Sequence, residues 1–202
     1  MEALYQLFLT SSGICTDTRK IESDSIFVCI KGENFDGNTF ADQALEQGAM
    51  HVVVDNEAYY STPSKMTLVD NSVSWLQELA NHHRKQFSIP VIGITGSNGK
   101  TSTKELIHAV LSKKYNVLAT IGNLNNHLGV PFTLLRMKPE HEIAIIEMGA
   151  NRFNDIEELC AIAEPTHGII TNIGKAHLEG FGGVEGVLKT KREVYESIVA
   201  SR

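Results

Sequence analysis

The stretch VIGITGSNGKTSTKELIHAVL, from Val91 to Leu111, constrains the fold more than any other part of the chain. It begins as an apolar run suited to a buried strand and turns through Gly96, Ser97, Asn98 and Gly99. It then continues into a predicted helix whose apolar positions include Ile107, Val110 and Leu111. In a strand, glycine loop and helix of this kind, backbone N–H groups can turn inward on phosphate oxygens, and the helix N-terminus adds partial positive charge at the same place. Lys100 is placed to neutralise β- and γ-phosphates, and the hydroxyl of Thr101 to ligate the Mg²⁺ that accompanies a nucleotide. Thr95, Gly96, Ser97, Asn98, Gly99, Lys100 and Thr101 are therefore the candidate ATP-binding residues. The loop departs from G-x-x-x-x-G-K-[ST] in one place, where Ile94 occupies the first glycine position. The other reading of the segment is a surface turn ahead of a helix.

The rest of the chain fits around that loop as an α/β protein. Between Met1 and about Ser88, short strands are predicted at Ile14 to Asp17, Ser25 to Ile30, His51 to Val54 and Met66 to Val69. Helices are predicted near Thr39 to Gln47 and Ser72 to Phe87. This is a small mixed α/β N-terminal domain, 1–88. Pro90 breaks the preceding helix and sets the expected boundary at Phe87 to Pro90. From residue 89 to 202 strand and helix alternate, with buried runs at Val91 to Thr95, Ile143 to Met148 and Gly168 to Thr171. Such alternation predicts a P-loop-type parallel sheet. So few strands before Arg202, after a helix from about Val184 to Val199, predict a sheet that is incomplete within this sequence.

Composition narrows the partners. A hydrophobic content of 42% and a charged content of 21% over 202 residues are ordinary for a globular chain of one large or two small domains. A net charge of −6 argues against nucleic acid, whose binding needs clustered Lys and Arg. Cys15, Cys29 and Cys160, an odd number in apolar or helical settings, read as thiols of a reducing compartment. No run approaches the roughly 18 apolar residues of a membrane span, so a cytoplasmic protein, neither secreted nor membrane-embedded, is expected, as a monomer.

Three further residues stand out. Glu147 ends the apolar run Ile143 to Ile146 at the carboxyl edge where open α/β sheets collect ligands, and a carboxylate there can hold a metal. Alone, it reads equally as a solvated strand end. The next strand leads into NIGKAHLEGFGG, whose glycines predict a loop on the same edge carrying His177. That imidazole is a candidate for a second metal ion, or simply an exposed loop histidine. Lys191 lies within a helical stripe of Val184, Val187, Leu188, Val194, Tyr195 and Ile198. A lysine buried there has a depressed pKa and a nucleophilic amine that can combine with carbon dioxide to give a metal-ligating carbamate. The competing reading is a lysine that snorkels from the stripe edge to water. Lys189 and Arg192 fall on the solvated face.

TGSNGKT (Thr95 to Thr101), GNLNNHLGVPFTLL (Gly122 to Leu135), EMGAN (Glu147 to Asn151) and NIGKAHLEGFGGVEGVLKTK (Asn172 to Lys191) together resemble the Mur ligase family. The front segment CTDTRKIESDSIFVCIKGENFDGNTF (Cys15 to Phe40) resembles that family's nucleotide-sugar-binding domain, with Thr18 and Arg19 in place as candidate substrate-binding residues. Within the family, the EMGA and NNHLGVP forms resemble most the ligases that join D-alanyl-D-alanine to UDP-N-acetylmuramoyl-tripeptide in building peptidoglycan, and hence in cell shape and division. The resemblance implies a carboxylate that attacks the γ-phosphate of ATP and an acyl phosphate that an amine then captures.

Residue by residue, the resemblance implies that Lys100 stabilises the transferring phosphoryl group, Thr101 and Glu147 hold one Mg²⁺, and His177 with carbamylated Lys191 serve a second. Asn123, Asn125 and Asn126 would face the muramyl precursor, although asparagines in such a segment also form turns. The family pattern continues with the rest of the ATPase domain and a Rossmann-like domain that brings in D-alanyl-D-alanine. Neither is present in these 202 residues, so the chain is expected to be a fragment with little ligase activity of its own. Two alternatives stay open: another ligase of the superfamily, such as the one that adds the third residue, and a non-catalytic nucleotide-sugar-binding module.

Overall fold

In the first unit, four short apolar runs lie side by side as a parallel sheet, with β1 (Ile14–Cys15), β2 (Ile26–Val28), β3 (His51–Val54) and β4 (Met66–Leu68) in that spatial order. The computed structural model describes residues 2–174 and 181–200. Consecutive residues Val52, Val53 and Val54 are all inaccessible to solvent, as expected of a parallel strand covered on both faces. The helices of this unit are α1 (Glu2–Thr10), α2 (Ala41–Glu46) and the first turns of α3 (Ser72–Arg84). One core cluster joins Phe27, Cys29, Ala44, Val52, Val54 and Met66. Polar order comes from the fully buried Asn38, whose Nδ2 donates to Asp36 and Asp55 at 2.7 Å each, while Asp55 Oδ2 accepts from the Ser72 N–H at the start of α3.

The chain divides into compact units at residues 1–79 and 80–202. That division falls inside α3, earlier than the expected break at Phe87 to Pro90. The reason is local hydrogen bonding within the second unit. Arg84, buried at the end of α3, donates to the carbonyls of Ala163, Phe87 and Glu164, and Asn81 donates to those of Ala161 and Ile162. The last turns of α3 thereby satisfy the carbonyls at the C-terminus of α6 (Asp155–Ala163).

The second unit is built on β5 (Val91–Thr95), β6 (Val117–Ala119), β7 (Ile143–Glu147) and β8 (His167–Ile170), all parallel, in the order β6-β7-β5-β8. Its helices are α4 (Lys100–Leu111), α5 (Gly129–Leu134), α6 and α7 (Val184–Ala200). Both units are thus α/β with parallel sheets. The register sets Ile94 against Glu147 and Thr95 against Ile170, so β5, β7 and β8 end together on one edge.

Two helices depart from the expected burial. On α4 the fully buried side chain is Lys104, whereas Val110 is 70% exposed. On α7 the buried positions are Val187, Thr190, Lys191, Glu193 and Val194, while Val184, Leu188 and Tyr195 are exposed. The stripe is rotated toward Lys191 because α7 packs against both α6 and β8, and the carboxylate of Glu193 is drawn in to meet α6. α1 and β6 are elements the sequence reading lacks; β6 has three residues, of which only Leu118 is fully buried.

Candidate active site

Thr95 ends β5, and the chain passes through Gly96 and Gly99 with φ of 141° and 75° before α4 begins at Lys100. Gly99 is the residue preceding the helix, in the left-handed region that glycine enters without penalty. The first N–H groups of α4 have no partner within the helix and face the loop. Lys100 folds back over this loop, with Nζ donating to the Gly96 carbonyl at 2.8 Å and to that of Ser97 at 3.4 Å. Burial lowers its pKa from the ordinary lysine value, and the charge of Glu147 works against that shift.

Glu147, at the end of β7, is 1% exposed. Its Oε1 accepts from the Thr101 hydroxyl at 3.2 Å and from Asn125 Nδ2 at 2.8 Å. Its Oε2 is buried, with no hydrogen-bond partner among the described residues. A buried carboxylate oxygen left in this state is costly unless a cation or donor completes it. A carboxylate and a hydroxyl that touch beside a phosphate loop match the oxygen ligands Mg²⁺ takes when it arrives with a nucleotide and its own waters. Among the described residues no group of three or more His, Cys, Asp and Glu forms a metal cage.

Lys191 is 2% exposed, and its Nζ lies 5.6 Å from the centroid of the Phe181 ring. Burial lowers its pKa from 10.5 to about 8, helped by the positive charge of Lys100 and opposed by Asp155 and Glu193. Glu193 does not serve Lys191 as a close counter-ion. Its two carboxylate oxygens accept from the N–H groups of Asn154 and Glu157 at 3.2 and 3.0 Å, capping α6. Lys189 and Arg192 are exposed. His177 lies outside the described residues.

The asparagines separate by role. Asn125 joins Glu147, and its backbone carbonyl accepts from the Gly149 N–H at 2.7 Å. Asn126 Oδ1 accepts from the N–H groups of Leu128 and Gly129, which fixes the entry to α5. Asn123 is exposed. A pocket of about 360 Å³, lined by Asn125, Asn126, His127, Gly149, Asn151 and Arg152 among others, opens beside Glu147's partner Asn125. Thr18 and Arg19 belong to the first unit, on a 3₁₀ turn capped by Asp17. The Arg19 guanidinium makes two hydrogen bonds to Asp17, at 2.9 and 2.8 Å, and holds that carboxyl down at about 2.

Sequence reasoning missed a support beneath Glu147. The Glu147 N–H donates to Thr120 Oγ1 at 3.0 Å, and the Thr120 carbonyl accepts from Lys104 Nζ at 2.6 Å. Lys104 also pairs with Glu105 at 2.9 Å. Nothing in the sequence marks Lys104, because a lysine on a surface helix reads as solvated. Only the approach of β6 shows otherwise.

Comparison with known families reaches both units. The Mur ligase middle domain matches residues 94–201, and a second domain, described as the Mur ligase family catalytic domain, matches residues 10–84. The chain belongs to the Mur ligase family. Among relatives of this Mur ligase chain is the UDP-N-acetylmuramoyl-tripeptide--D-alanyl-D-alanine ligase of Bacillus subtilis (strain 168), 42% identical over 187 residues. That match covers 92% of the chain and 41% of the relative. The enzyme of the same name from Escherichia coli (strain K12) is 42% identical over 190 residues, covering 94% and 42% respectively. The chain thus spans about two fifths of the length of these curated relatives.

Among solved structures, MurF from Acinetobacter baumannii superposes with a TM-score of 0.88 at 35% identity, covering 98% of the chain and 46% of that structure. MurF ligase from Thermotoga maritima in complex with ADP gives 0.86 at 37% identity, covering 94% and 44%. A UDP-N-acetylmuramoyl-L-alanyl-D-glutamate--2,6-diaminopimelate ligase gives 0.58 at 20% identity, a likeness of fold.

Proposed function

We propose that this Mur ligase chain carries the ATP-handling and precursor-binding residues of an enzyme that joins D-alanyl-D-alanine to UDP-N-acetylmuramoyl-tripeptide in peptidoglycan synthesis. The observation that carries the reading is the buried Glu147 carboxylate. Its Oε1 is shared by Thr101 and Asn125, and its Oε2 is left for a cation beside a glycine loop with Lys100 at hand. The names of the relatives supply the substrates, and an ADP complex of one of them supports a nucleotide at the loop.

In this reading the tripeptide's terminal carboxylate attacks the γ-phosphorus of ATP, ADP leaves, and an acyl phosphate results. The amine of D-alanyl-D-alanine then attacks the acyl carbon, giving the amide and inorganic phosphate, with the amine proton released. Lys100 leaves the loop carbonyls to bind the phosphates and offsets the charge that develops on the transferring group. Thr101 and Glu147 would hold Mg²⁺, which when bound would supply positive charge against the phosphate oxygens. Asn125 holds the carboxylate of Glu147 through its Nδ2 and lines the adjoining pocket, which would take the carboxylate end of the precursor. Lys191, whose amine burial makes easier to deprotonate, would in its neutral form add through Nζ to the carbon of carbon dioxide and release one proton to solvent. The resulting carbamate, with His177, would hold a second cation. Thr18 and Arg19 contact the uridine-nucleotide end. The reaction runs in the cytoplasm, where ATP is available.

Calorimetric titration of the chain with UDP-N-acetylmuramoyl-tripeptide, repeated with the corresponding dipeptide precursor, tests the assignment. Tighter binding of the tripeptide is expected. Tighter binding of the dipeptide moves the chain one step back along the pathway, and binding of neither removes the precursor from the reading.

A further inference from the structure

The phosphate loop is laced to the segment that follows β8. Thr171 Oγ1 donates to the Asn98 carbonyl at 2.6 Å. Asn172 accepts twice, from the Asn98 N–H at Oδ1 (3.0 Å) and from the Ser97 N–H at its backbone carbonyl (3.1 Å). The Ser97 hydroxyl sits between the Gly174 N–H, which donates to it at 2.9 Å, and the Gly174 carbonyl, which accepts from it at 3.3 Å. Contact is closest at Gly96, where a Cβ would lie 2.0 Å from Thr171 Oγ1 and 3.1 Å from the Thr171 nitrogen.

We infer that Thr171 and Asn172 are positioning residues for the nucleotide, presetting which loop amides meet its phosphates. The inference rests on the nucleotide reading of the loop given above. Two loop donors, the N–H groups of Ser97 and Asn98, are already taken by Asn172. In a planar trans peptide the carbonyl and the following N–H point in opposite directions. With the Asn98 carbonyl held by Thr171, the Gly99 N–H is turned away from β8. It joins the N–H groups of Lys100 and Thr101, which the helix leaves unpaired at its N-terminus. These three form the set that faces an anion. Gly99 has a left-handed backbone and no side chain to resist rotation. Once unclamped, the Asn98–Gly99 peptide can flip and aim its carbonyl at the phosphate. The Thr171 hydroxyl opposes that flip directly, and Asn172 opposes it by anchoring the preceding N–H.

The test is calorimetric titration of the 202-residue chain with ADP and Mg²⁺, unmodified and as Thr171→Val, Thr171→Ser and Asn172→Ala. Valine keeps the β-branched shape and loses the hydroxyl, whereas serine keeps the hydroxyl. Loss of one neutral hydrogen bond predicts a Kd for ADP raised about five- to tenfold in Thr171→Val and in Asn172→Ala. Thr171→Ser should stay within about twofold. Urea unfolding of each variant accompanies the titrations. A merely structural role would shift the unfolding midpoint and leave ADP affinity alone. Asn172 is exposed, so its variant retains the fold and carries the test if Thr171→Val does not. ADP binding within twofold of the unmodified chain in both Thr171→Val and Asn172→Ala overturns the clamp and leaves the nucleotide site standing. Absence of ADP binding in the unmodified chain overturns the site, and the clamp with it.

Discussion

Replacing Lys191 by methionine should stabilise this protein at neutral pH, the reverse of what most core substitutions do. The amine is 2% exposed and faces the Phe181 ring, and its pKa falls from 10.5 to about 8, mainly through burial and then through the charge of Lys100. The sign follows from proton linkage. Below about pH 8 the amine is protonated in both folded and unfolded chains, and the folded state bears the whole cost of the buried charge. Between about 8 and 10.5 the unfolded chain keeps the proton that the folded chain has released, so stability rises with pH. Above 10.5 both forms are neutral and the cost is gone. A separation of this size corresponds to about 3 kcal/mol at 1.36 kcal/mol per pH unit. Lys191→Met removes the charge and keeps a flexible apolar chain of similar length. The assay is urea unfolding at intervals from pH 6 to pH 10, in buffers freed of carbon dioxide and metal. The expected result is a variant about 2–3 kcal/mol more stable than the unmodified chain at pH 7, with the gap closing toward pH 10. A variant less stable at pH 7, or a gap that does not narrow with pH, would refute the buried-charge account of Lys191.

Two further outcomes follow from the same site and its supports. Glu147→Gln keeps the shape and the Thr101 contact but removes the negative charge, so the enhancement of ADP affinity by Mg²⁺ should fall by about tenfold or more, with metal-free ADP binding little changed; an unchanged Mg²⁺ effect in calorimetry would remove Glu147 from the cation site. Glu193→Ala strips the cap from the Asn154 and Glu157 N–H groups and should cost about 2–4 kcal/mol, seen as a lower urea midpoint with faster amide exchange in the first turn of α6.

The legible part of the site is the part written in local sequence. Gly96 to Thr101 sit between an apolar strand and a helix, and that order marks the segment as a candidate phosphate loop. Glu147 was legible as a candidate because it ends an apolar run at the sheet edge where ligands collect, but its burial, which excludes the solvated strand end, came from the fold. Lys191 was legible because it interrupts a helical stripe, although the stripe itself is rotated from the one the apolar residues mark out. Val184, Leu188 and Tyr195 are exposed while Thr190 and Glu193 are buried, since α7 turns toward the unpaired N–H groups of α6. Hydrophobic spacing carries no information about a cap supplied from another helix.

What the sequence determined by itself was set by period and by chain neighbours, namely the α/β class, the parallel sheet of the second unit and the glycine loop with its lysine, while the family came from the resemblance of its motifs. What tertiary structure decided is which polar groups share protons across the sheet edge. Lys104 is a solvated lysine in sequence and a buried support for Thr120 in the fold, and Asn125, Thr101 and Glu147 become partners only where α4, β7 and the loop before α5 converge. The reason is physical. Burial of apolar surface is non-directional and can be read from pattern, whereas a hydrogen bond requires a donor and an acceptor about 3 Å apart, and residues far apart in sequence reach that distance only when the sheet places them there.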